Sequence, residues 1–243
     1  MSVNPPMSPR LWVELGCVPY PRALDLQRSL VQAKIDGRLA DDPWLILEHP
    51  PVYTLGRRGG RQNLTVSPDF LKSRQIPVVH VERGGDITYH GPGQIVGYPI
   101  MDLRRAKLGV RDYVEKLEEL MLRTAARWGV TVCRDARNHG VWVGDNKIGS
   151  IGIHVRRSIT FHGFAFNVRP DLTPFSWINP CGLKGVGVTS LAAEGAAGVD
   201  TAAVTATLRQ EAADIFGFRF RPVKLQELEP VPIFRPTGSP CPH

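Results

Sequence analysis

The sequence predicts an α+β domain in which a mixed, largely antiparallel sheet packs against helices. Short apolar or alternating segments bounded by glycine and proline occur in consecutive groups, whereas only three segments have strong helical periodicity. Strands grouped in this way favour α+β organisation over a regularly alternating βαβ fold. A chain of 243 residues can bury one substantial core, so residues 1–228 are predicted to form a single domain. Repeated prolines predict an extended or flexible tail over residues 229–243.

The predicted elements follow from hydrophobic spacing and from turn residues. Apolar residues at spacings of three and four predict helices over 22–36, over 110–128, and from Asp200 or Thr201 to Gly217. Each of these segments is closed by a glycine, as helices commonly are. Strands are predicted at 11–15, 44–49, 77–82, 94–100, 140–144, 147–155 and 159–168. The last three strands are joined by loops short enough for hairpins, which indicates an antiparallel meander.

Composition and charge exclude some classes of function and leave others open. The hydrophobic fraction is 42%, and no apolar run approaches the length of a membrane span. The net charge of +7 suits nucleic acid, an anionic membrane surface or an acidic protein. The arginine pairs Arg57–Arg58, Arg104–Arg105 and Arg156–Arg157 are dispersed and do not form the basic stripe of a nucleic-acid binder. From charge alone, an acidic protein partner therefore fits at least as well as nucleic acid. The absence of a signal-peptide pattern predicts a cytoplasmic location.

The cysteines are Cys17, Cys133, Cys181 and Cys241, and they form neither a CxxC pair nor a zinc-ligand spacing. No metal is expected, and in a reducing compartment all four are predicted to be free thiols. Cys181 lies in the turn-forming sequence Pro-Cys-Gly, where a thiol is accessible. The alternative is a packed residue, because free cysteine is among the most buried residue types. Cys241 lies in the proline-rich tail and is not expected to be catalytic.

Two glycine-rich segments are candidates for ligand binding. Residues 82–94 lie between two predicted strands, and their glycines allow close approach of a ligand, although a wide turn is the alternative. This segment lacks the Gly-Lys-Ser/Thr of a phosphate-binding loop, and no helix follows it as in a dinucleotide site. In residues 144–152, a turn brings Lys147 to the start of an apolar strand with very small side chains. Lys147 is therefore a candidate functional residue, the alternative being a solvated lysine.

A cysteine nucleophile requires an accessible thiol and a nearby cation or base that favours the thiolate. Lys147 can supply a cation or, if desolvated, an amine base, and His90, His154 and His162 lie in or beside the two glycine-rich segments. The residues alone leave two alternatives. Either Cys181 is the nucleophile of an acyl transferase or hydrolase, or it is a structural residue of a binding module.

Four segments, taken in order, resemble the lipoyl(octanoyl) transferases, which move an octanoyl group from acyl carrier protein to a lysine of lipoyl domains. They are HPPVYTLGRRG at 49–59, RGGDITYHGPGQIVGYPI at 83–100, NKIGSIGIHVRRSITFHGFAFNV at 146–168 and INPCGLKGVGVTSL at 178–191. The resemblance implies the fold of biotin and lipoate ligase catalytic domains, with no cofactor and no metal. One departure is Gly149, where some relatives carry cysteine or alanine.

The resemblance also implies roles for residues and partners. Cys181 is the acyl-accepting nucleophile, and Lys147 assists it, so their Sγ and Nζ atoms are expected within about 3–4 Å or one water of each other. The implied partners are octanoyl-acyl carrier protein as donor and, as acceptors, the lipoyl domains of 2-oxoacid dehydrogenase complexes and the glycine-cleavage carrier protein. The acyl site is implied to contain Arg83, Gly84, Gly85, Asp86, Ile87, Thr88, Tyr89, His90, Ser150, Ile151, Gly152, Gly163, Phe164 and Ala165.

Two alternatives to the transferase remain at this point. An ATP-dependent lipoate ligase shares the fold and the lysine but needs no thiol. A non-catalytic module that binds acyl carrier protein would use the basic surface alone, with Cys181 as a structural residue. His90 and His162 are weaker candidates for a chemical role, because a histidine in a tight loop often only forms hydrogen bonds with backbone groups.

Overall fold

A computed structural model describes residues 10–179, 186–228 and Cys241. None of the helices within these residues is long and apolar enough to span a membrane. The helices are α1 (Tyr20–Ile35), α2 (Pro68–Ser73), α3 (Val110–Arg127) and α4 (Thr201–Phe216). The strands are β1 (Arg10–Cys17), β2 (Pro43–Glu48), β3 (Val52–Leu55), β4 (Val78–His80), β5 (Ile87–His90), β6 (Gln94–Pro99), β7 (Gly140–Val143), β8 (Asn146–Arg156), β9 (Ile159–Asn167), β10 (Gly187–Val188) and β11 (Phe220–Pro222).

The main sheet has the described strand order β10-β8-β9-β6-β2-β1-β11, and β7 pairs with β8 outside this path. The pairs β7–β8, β8–β9, β9–β6 and β6–β2 are antiparallel. The edge pairs are parallel, since β1 runs parallel to β2 and β11, and β10 runs parallel to β8. The predicted mixed, largely antiparallel sheet is confirmed, and so is the meander formed by β7, β8 and β9.

Helices cover both faces of the main sheet. Consecutive residues of a strand point to opposite faces, and consecutive residues of β2 accordingly belong to different cores. Trp44 belongs to a core that contains Tyr113 of α3 and Leu208 of α4. Leu45 belongs to a second core, which contains Leu30 of α1. The sheet is therefore buried on both sides, as a sheet between helices should be.

The predicted ends of the last helix are confirmed by its capping residues. The side chain of Asp200 accepts a hydrogen bond from the backbone N–H of Ala203 at 2.8 Å, which satisfies one of the free N–H groups of the first turn. Gly217 follows α4 with a φ of 68°, a left-handed conformation that glycine adopts without a Cβ clash. The other two predicted helices correspond to α1 and α3 within two residues at each end.

A small second sheet was not predicted. Its strand order is β4-β3-β5, and β5 lies inside residues 82–94, which were interpreted as a binding loop. Strands β3 and β5 contain four residues each and become strands by pairing with each other, from Val52 opposite His90 to Leu55 opposite Ile87. Such short segments between glycines and prolines carry little local strand signal, so their pairing is a property of the tertiary fold.

Cys17 and Cys241 form a disulfide, so the prediction that all four cysteines are free thiols was wrong for this pair. The two residues are 224 positions apart, and the sequence contains no spacing that indicates their pairing. Strand β11 runs beside β1, which brings the C-terminal part of the chain to the strand that ends at Cys17. Cys133 is free and exposed. Apart from Cys241, the predicted tail lies outside the described residues and remains a prediction.

Candidate functional site

One pocket is lined by all of the residues that the resemblance assigns to the acyl site except Tyr89. The pocket lies where β5 and residues 83–86 cover β8 and β9. The side chain of Tyr89 instead packs against Tyr53 and Phe175 in the core of the second sheet. The structure thus brings together three segments that are widely separated in the sequence.

The floor of the pocket is a strip of small residues on two paired strands. Ser150 lies opposite Ala165, and Gly152 lies opposite Gly163, so these residues point to the same face of the sheet. Residues 83–86, which we call the covering loop, lie over this strip. A Cβ on Gly152 would lie 3.0 Å from the carbonyl oxygen of Gly84 in this loop. The small residues therefore let the loop approach the sheet closely and leave room for a straight, unbranched ligand.

Arg83 fixes the covering loop to β3. Its guanidinium is buried, and Nη2 donates to the backbone oxygen of Thr54 at 2.7 Å and to Thr54 Oγ1 at 2.8 Å. The backbone N–H of Gly84 donates to the oxygen of Ile153 on β8 at 2.9 Å. The loop is thereby held to both sheets, and the pocket between them is preformed.

The hydrogen bonds of Gln94 determine the tautomer of His90. The amide nitrogen of Gln94 donates to Tyr89 O at 3.2 Å and to Asn167 Oδ1 at 2.9 Å, which identifies the remaining atom, Oε1, as an acceptor. His90 Nδ1 lies 2.7 Å from this oxygen and therefore carries a proton. Its Nε2 is left as an acceptor for the hydroxyl of Thr54, at 3.4 Å.

The same side chains connect the pocket with the segment beside Lys147. Asn167, which accepts from Gln94, donates through Nδ2 to the backbone oxygen of Thr189 at 2.9 Å. Thr189 in turn donates its N–H to the backbone oxygen of Lys147 at 3.0 Å. A continuous series of hydrogen bonds therefore links His90, at the pocket wall, to the residue that follows β10.

One end of the pocket is polar and carries a residue in an unusual backbone conformation. His162 has a φ of 54° within β9, which costs a non-glycine residue about 1–2 kcal/mol. Its N–H donates to Gln27 Oε1 at 2.7 Å, and its Nδ1 lies 3.4 Å from the hydroxyl of Tyr20. Tyr98, whose hydroxyl is 2.8 Å from His49 Nε2, lines the same end. These buried polar groups close the apolar part of the pocket.

Burial lowers the pKa values of three histidines in and below this polar end. The pKa of His49 falls to about 4, that of His90 falls well below 6.5, and that of His162 is also lowered, in each case mainly because burial disfavours the charged imidazolium. All three are therefore neutral at pH 7. Glu82, whose pKa is lowered by His162 and Arg28, affects stability only below its ordinary value of 4.5.

These pKa shifts predict a loss of stability in mild acid. Below pH 6.5 the unfolded chain binds protons on these histidines while the folded chain does not, so the free energy of unfolding should fall, by up to about 1.4 kcal/mol per pH unit for each histidine. Urea unfolding between pH 7.5 and 5.5 measures the slope. His49→Gln should reduce the slope by the contribution of one histidine, up to about 1.4 kcal/mol per pH unit. His80→Gln, at an exposed position, is the control and should leave the slope nearly unchanged. Equal slopes for native protein and His49→Gln would contradict the assignment.

Lys147 lies at the start of β8 and is 4% exposed. Its Nζ donates to the backbone oxygen of His139 at 2.9 Å and lies 5.0 Å from the centre of the Trp142 ring. Lys147 does not line the pocket, but Asn138, the residue before His139, does. The amine is therefore held beside the pocket and not within it.

Cys181 lies outside the described residues, so its predicted distance from Lys147 remains a prediction. The described residues on either side of positions 180–185 are both near the site. Asn179 donates its N–H to Asn63 O at 2.8 Å, and Asn63 Nδ2 donates to the pocket residue Asp86 at 2.7 Å. On the other side, Val188 pairs with Lys147. The chain therefore enters positions 180–185 beside one wall of the pocket and leaves them beside Lys147.

Several pocket residues were not predicted from the sequence. Tyr20, Val96, Tyr98 and Asn138 line the pocket, as does His162, which was considered only as a base for Cys181. Tyr20 is the first residue of α1 and resembles any buried aromatic residue at a helix start. Val96, Tyr98 and His162 lie within segments that the family resemblance covers, whereas Tyr20 and Asn138 do not. No local pattern distinguishes the side chains of Val96 and Tyr98 from those of core residues.

Comparison with known proteins identifies the family. The model of the lipoyl protein ligase A/B catalytic domain matches residues 19–213. An octanoyltransferase of Desulfotalea psychrophila is 53% identical over 207 residues, which are 84% of this chain and 93% of the relative. A bi-partite lipoate protein ligase of Thermoplasma acidophilum has the same fold, with a TM-score of 0.68 at 16% identity over 90% of this chain and 88% of the other. A biotin protein ligase of Aquifex aeolicus, in complex with biotin and ATP, has a TM-score of 0.53 at 9% identity over 86% and 71%. The predicted likeness to biotin and lipoate ligase domains is thus confirmed, and the chain belongs to the octanoyltransferases of the lipoyl protein ligase A/B catalytic-domain family.

Proposed function

We propose that the protein transfers an octanoyl group from octanoyl-acyl carrier protein to a specific lysine of lipoyl domains, as the first step of protein lipoylation. The observation that carries this proposal is the octanoyltransferase relative, 53% identical over 84% of the chain. The pocket supports it, because its floor of Ser150, Gly152, Gly163 and Ala165 suits a straight alkyl chain. Each CH₂ group that such a chain buries contributes about 0.8 kcal/mol.

In the first half-reaction, the thiolate of Cys181 attacks the carbonyl carbon of the donor thioester. The new C–S bond forms, the bond to the carrier's sulfur breaks, and the carrier leaves as a thiol with a proton donated by the Lys147 ammonium, which becomes a neutral amine. The positive charge of Lys147 favours the thiolate of a neighbouring cysteine. The donor is already activated as a thioester, so the exchange is nearly balanced and requires no ATP.

In the second half-reaction, the amine of the acceptor lysine attacks the acyl-enzyme. An amide bond forms and the Cys181 thiolate leaves, which makes this step energetically downhill. The free pKa of a lysine is about 10.4, so the incoming amine must lose a proton before it can attack. Lys147 is the group we assign to accept that proton, and it returns to the charged state that favours the thiolate.

Intact-mass analysis after incubation with octanoyl-acyl carrier protein tests the proposal. We expect a hydroxylamine-sensitive octanoyl adduct on the native protein and no adduct on Cys181→Ala. Cys133→Ala is the matched control, because Cys133 is a free and exposed thiol. An adduct that persists in Cys181→Ala but disappears in Cys133→Ala, or the absence of any adduct on the native protein, refutes the thioester mechanism.

The ligase alternative is favoured only by the fold that the chain shares with lipoate and biotin ligases. A ligase activates the free acid with ATP and needs no thiol. Octanoate with ATP and Mg²⁺ should therefore yield no octanoylated lipoyl domain, whereas the octanoyl thioester should. Transfer from free octanoate that survives in Cys181→Ala would favour the ligase.

The proposed acceptors are the lipoyl domains of 2-oxoacid dehydrogenase complexes and the glycine-cleavage carrier protein, and the proposed compartment is the cytoplasm. Disulfides are uncommon in a reducing cytoplasm, so the redox state of Cys17 and Cys241 in the cell tests the proposed compartment. Rapid alkylation of whole cells, followed by intact mass of the protein, measures whether these two thiols are bonded in the cell.

A further inference from the structure

The turn formed by residues 56–59, which we call the Arg57–Arg58 turn, is attached to the edge of the pocket. The backbone N–H of Gly56 donates to Asp86 O at 3.1 Å, that of Arg57 to Arg83 O at 3.0 Å, and that of Arg58 to Gly85 O at 3.1 Å. Residues 83–86 line the pocket. Three consecutive hydrogen bonds therefore hold the two arginines at a fixed position beside the pocket.

Both arginine side chains of this turn are exposed. Within residues 10–179 and 186–228, neither guanidinium has a hydrogen bond or ion pair to another side chain. Arg137, near the pocket residue Asn138, differs because it is paired with Asp135 at 2.7 Å and with Asp145 at 3.1 Å. The Arg57–Arg58 turn therefore presents two exposed guanidinium groups that form no ion pair with the described residues.

The other two arginine pairs are differently placed. Arg104 is paired with Asp102, and Arg105 donates to the backbone oxygen of Ala40. Arg156 and Arg157 lie at the end of β8 away from Lys147, with Arg156 about 13 Å along the strand from the pocket residue Gly152 at about 3.3 Å per residue. Of the three pairs, Arg57–Arg58 is the one whose backbone forms hydrogen bonds with the covering loop, residues 83–86.

We propose that the Arg57–Arg58 turn is the docking point for an acidic surface of the protein that carries the acyl donor. The inference rests on the proposed function, in which a carrier protein must place its surface against the pocket mouth to deliver its acyl group. Arginine forks match carboxylates in geometry, and complementary charge at a docking surface accelerates association. The net charge of +7 attracts an acidic protein to the molecule in general. The Arg57–Arg58 turn is the place where we expect its acidic surface to bind.

The test compares two double variants that change the net charge equally. Arg57→Glu/Arg58→Glu alters the docking point, and Arg156→Glu/Arg157→Glu alters the pair at the end of β8. The rate of acyl-enzyme formation is measured with octanoyl-acyl carrier protein, at low and high salt, and with octanoyl-N-acetylcysteamine, an uncharged small thioester. We expect the first variant to lose about tenfold or more in kcat/KM with the carrier protein at low salt, and less at high salt. With the uncharged thioester it should remain within about twofold of native protein, and the second variant should do so with both donors.

Three outcomes overturn the proposal. The first is an unchanged rate of Arg57→Glu/Arg58→Glu with the carrier protein. The second is an equal loss in both double variants, which would reflect net charge alone. The third is normal acylation with slower transfer to the lipoyl domain, which would assign the turn to the acceptor. Failure of native protein to form an acyl-enzyme with either donor would instead refute the proposed function, so the two failures are distinguishable.

Discussion

Replacing Lys147 with methionine is expected to slow octanoyl transfer by about 10²- to 10⁴-fold, the range typical for loss of a general acid–base group. Methionine preserves most of the side-chain volume that packs against Trp142, while it removes the amine that donates to His139 O at 2.9 Å. Both the cation that favours the thiolate and the base that accepts the proton of the acceptor amine are lost. Single-turnover measurements of acylation and of transfer to a lipoyl domain give the two rates separately.

Two further variants separate chemistry from stability. Lys147→Arg keeps a positive charge but cannot act as a base, because arginine does not deprotonate in proteins. We expect it to retain more of the acylation rate than of the transfer rate. Lys116→Met is the matched control, since Lys116 donates to the backbone oxygen of Ile215 at 2.6 Å on the surface of α3. Equal losses in Lys147→Met and Lys116→Met would show that the effect is structural.

Replacing Ala165 with leucine is expected to change which acyl chains the protein accepts. Ala165 lies opposite Ser150 on the pocket floor, and a larger side chain there fills the space assigned to the alkyl chain. Overpacking at such a site costs about 1–3 kcal/mol, so octanoyl transfer should fall by roughly 10- to 100-fold. A butanoyl chain is four carbons shorter and does not reach the part of the pocket that leucine fills. Its rate of transfer should therefore fall much less than the rate of octanoyl transfer. The ratio of kcat/KM for the two thioesters is the measurement.

A general loss of stability would lower kcat/KM equally for both thioesters, so it would not change their ratio. Ala125 of α3 is fully buried outside the pocket, so Ala125→Leu imposes a comparable packing strain without touching the acyl site. It should lower the melting temperature and leave the ratio unchanged. If Ala165→Leu reduces octanoyl and butanoyl transfer equally, the pocket does not hold the acyl chain.

Much of the architecture could be predicted from local patterns. The three long helices are specified by apolar spacing and by the glycines that end them, because both signals act within a few residues. The meander of β7, β8 and β9 follows from alternating residues and short loops. Two of the three pocket segments, 82–94 and 144–152, were identified because consecutive glycines and small residues have few purposes other than close approach. The third, with Gly163, Phe164 and Ala165, was indicated only by the family resemblance. The family resemblance then assigned them to one site.

Other features could not be predicted because they depend on contacts between distant segments. Strands β3 and β5 exist through their pairing with each other. Cys17 and Cys241 are joined because β11 lies beside β1, and neither cysteine has a local pattern that distinguishes it from Cys133. Tyr20 and Tyr98 reach the polar end of the pocket from α1 and β6. The sequence positions of these residues contain no information about that meeting point.

The sequence by itself determined the class of fold, the limits of the long helices, the glycine-rich segments and the candidate pair Cys181 and Lys147. These are properties of residue type and short-range spacing. The tertiary structure decided that the glycine-rich segments form one pocket and that Lys147 is held beside it by His139. It also decided that, of the three arginine pairs, Arg57–Arg58 lies against the covering loop. The physical reason is that each residue's type sets its chemistry, whereas residues distant in the sequence come together only when strands pair and bury their apolar faces.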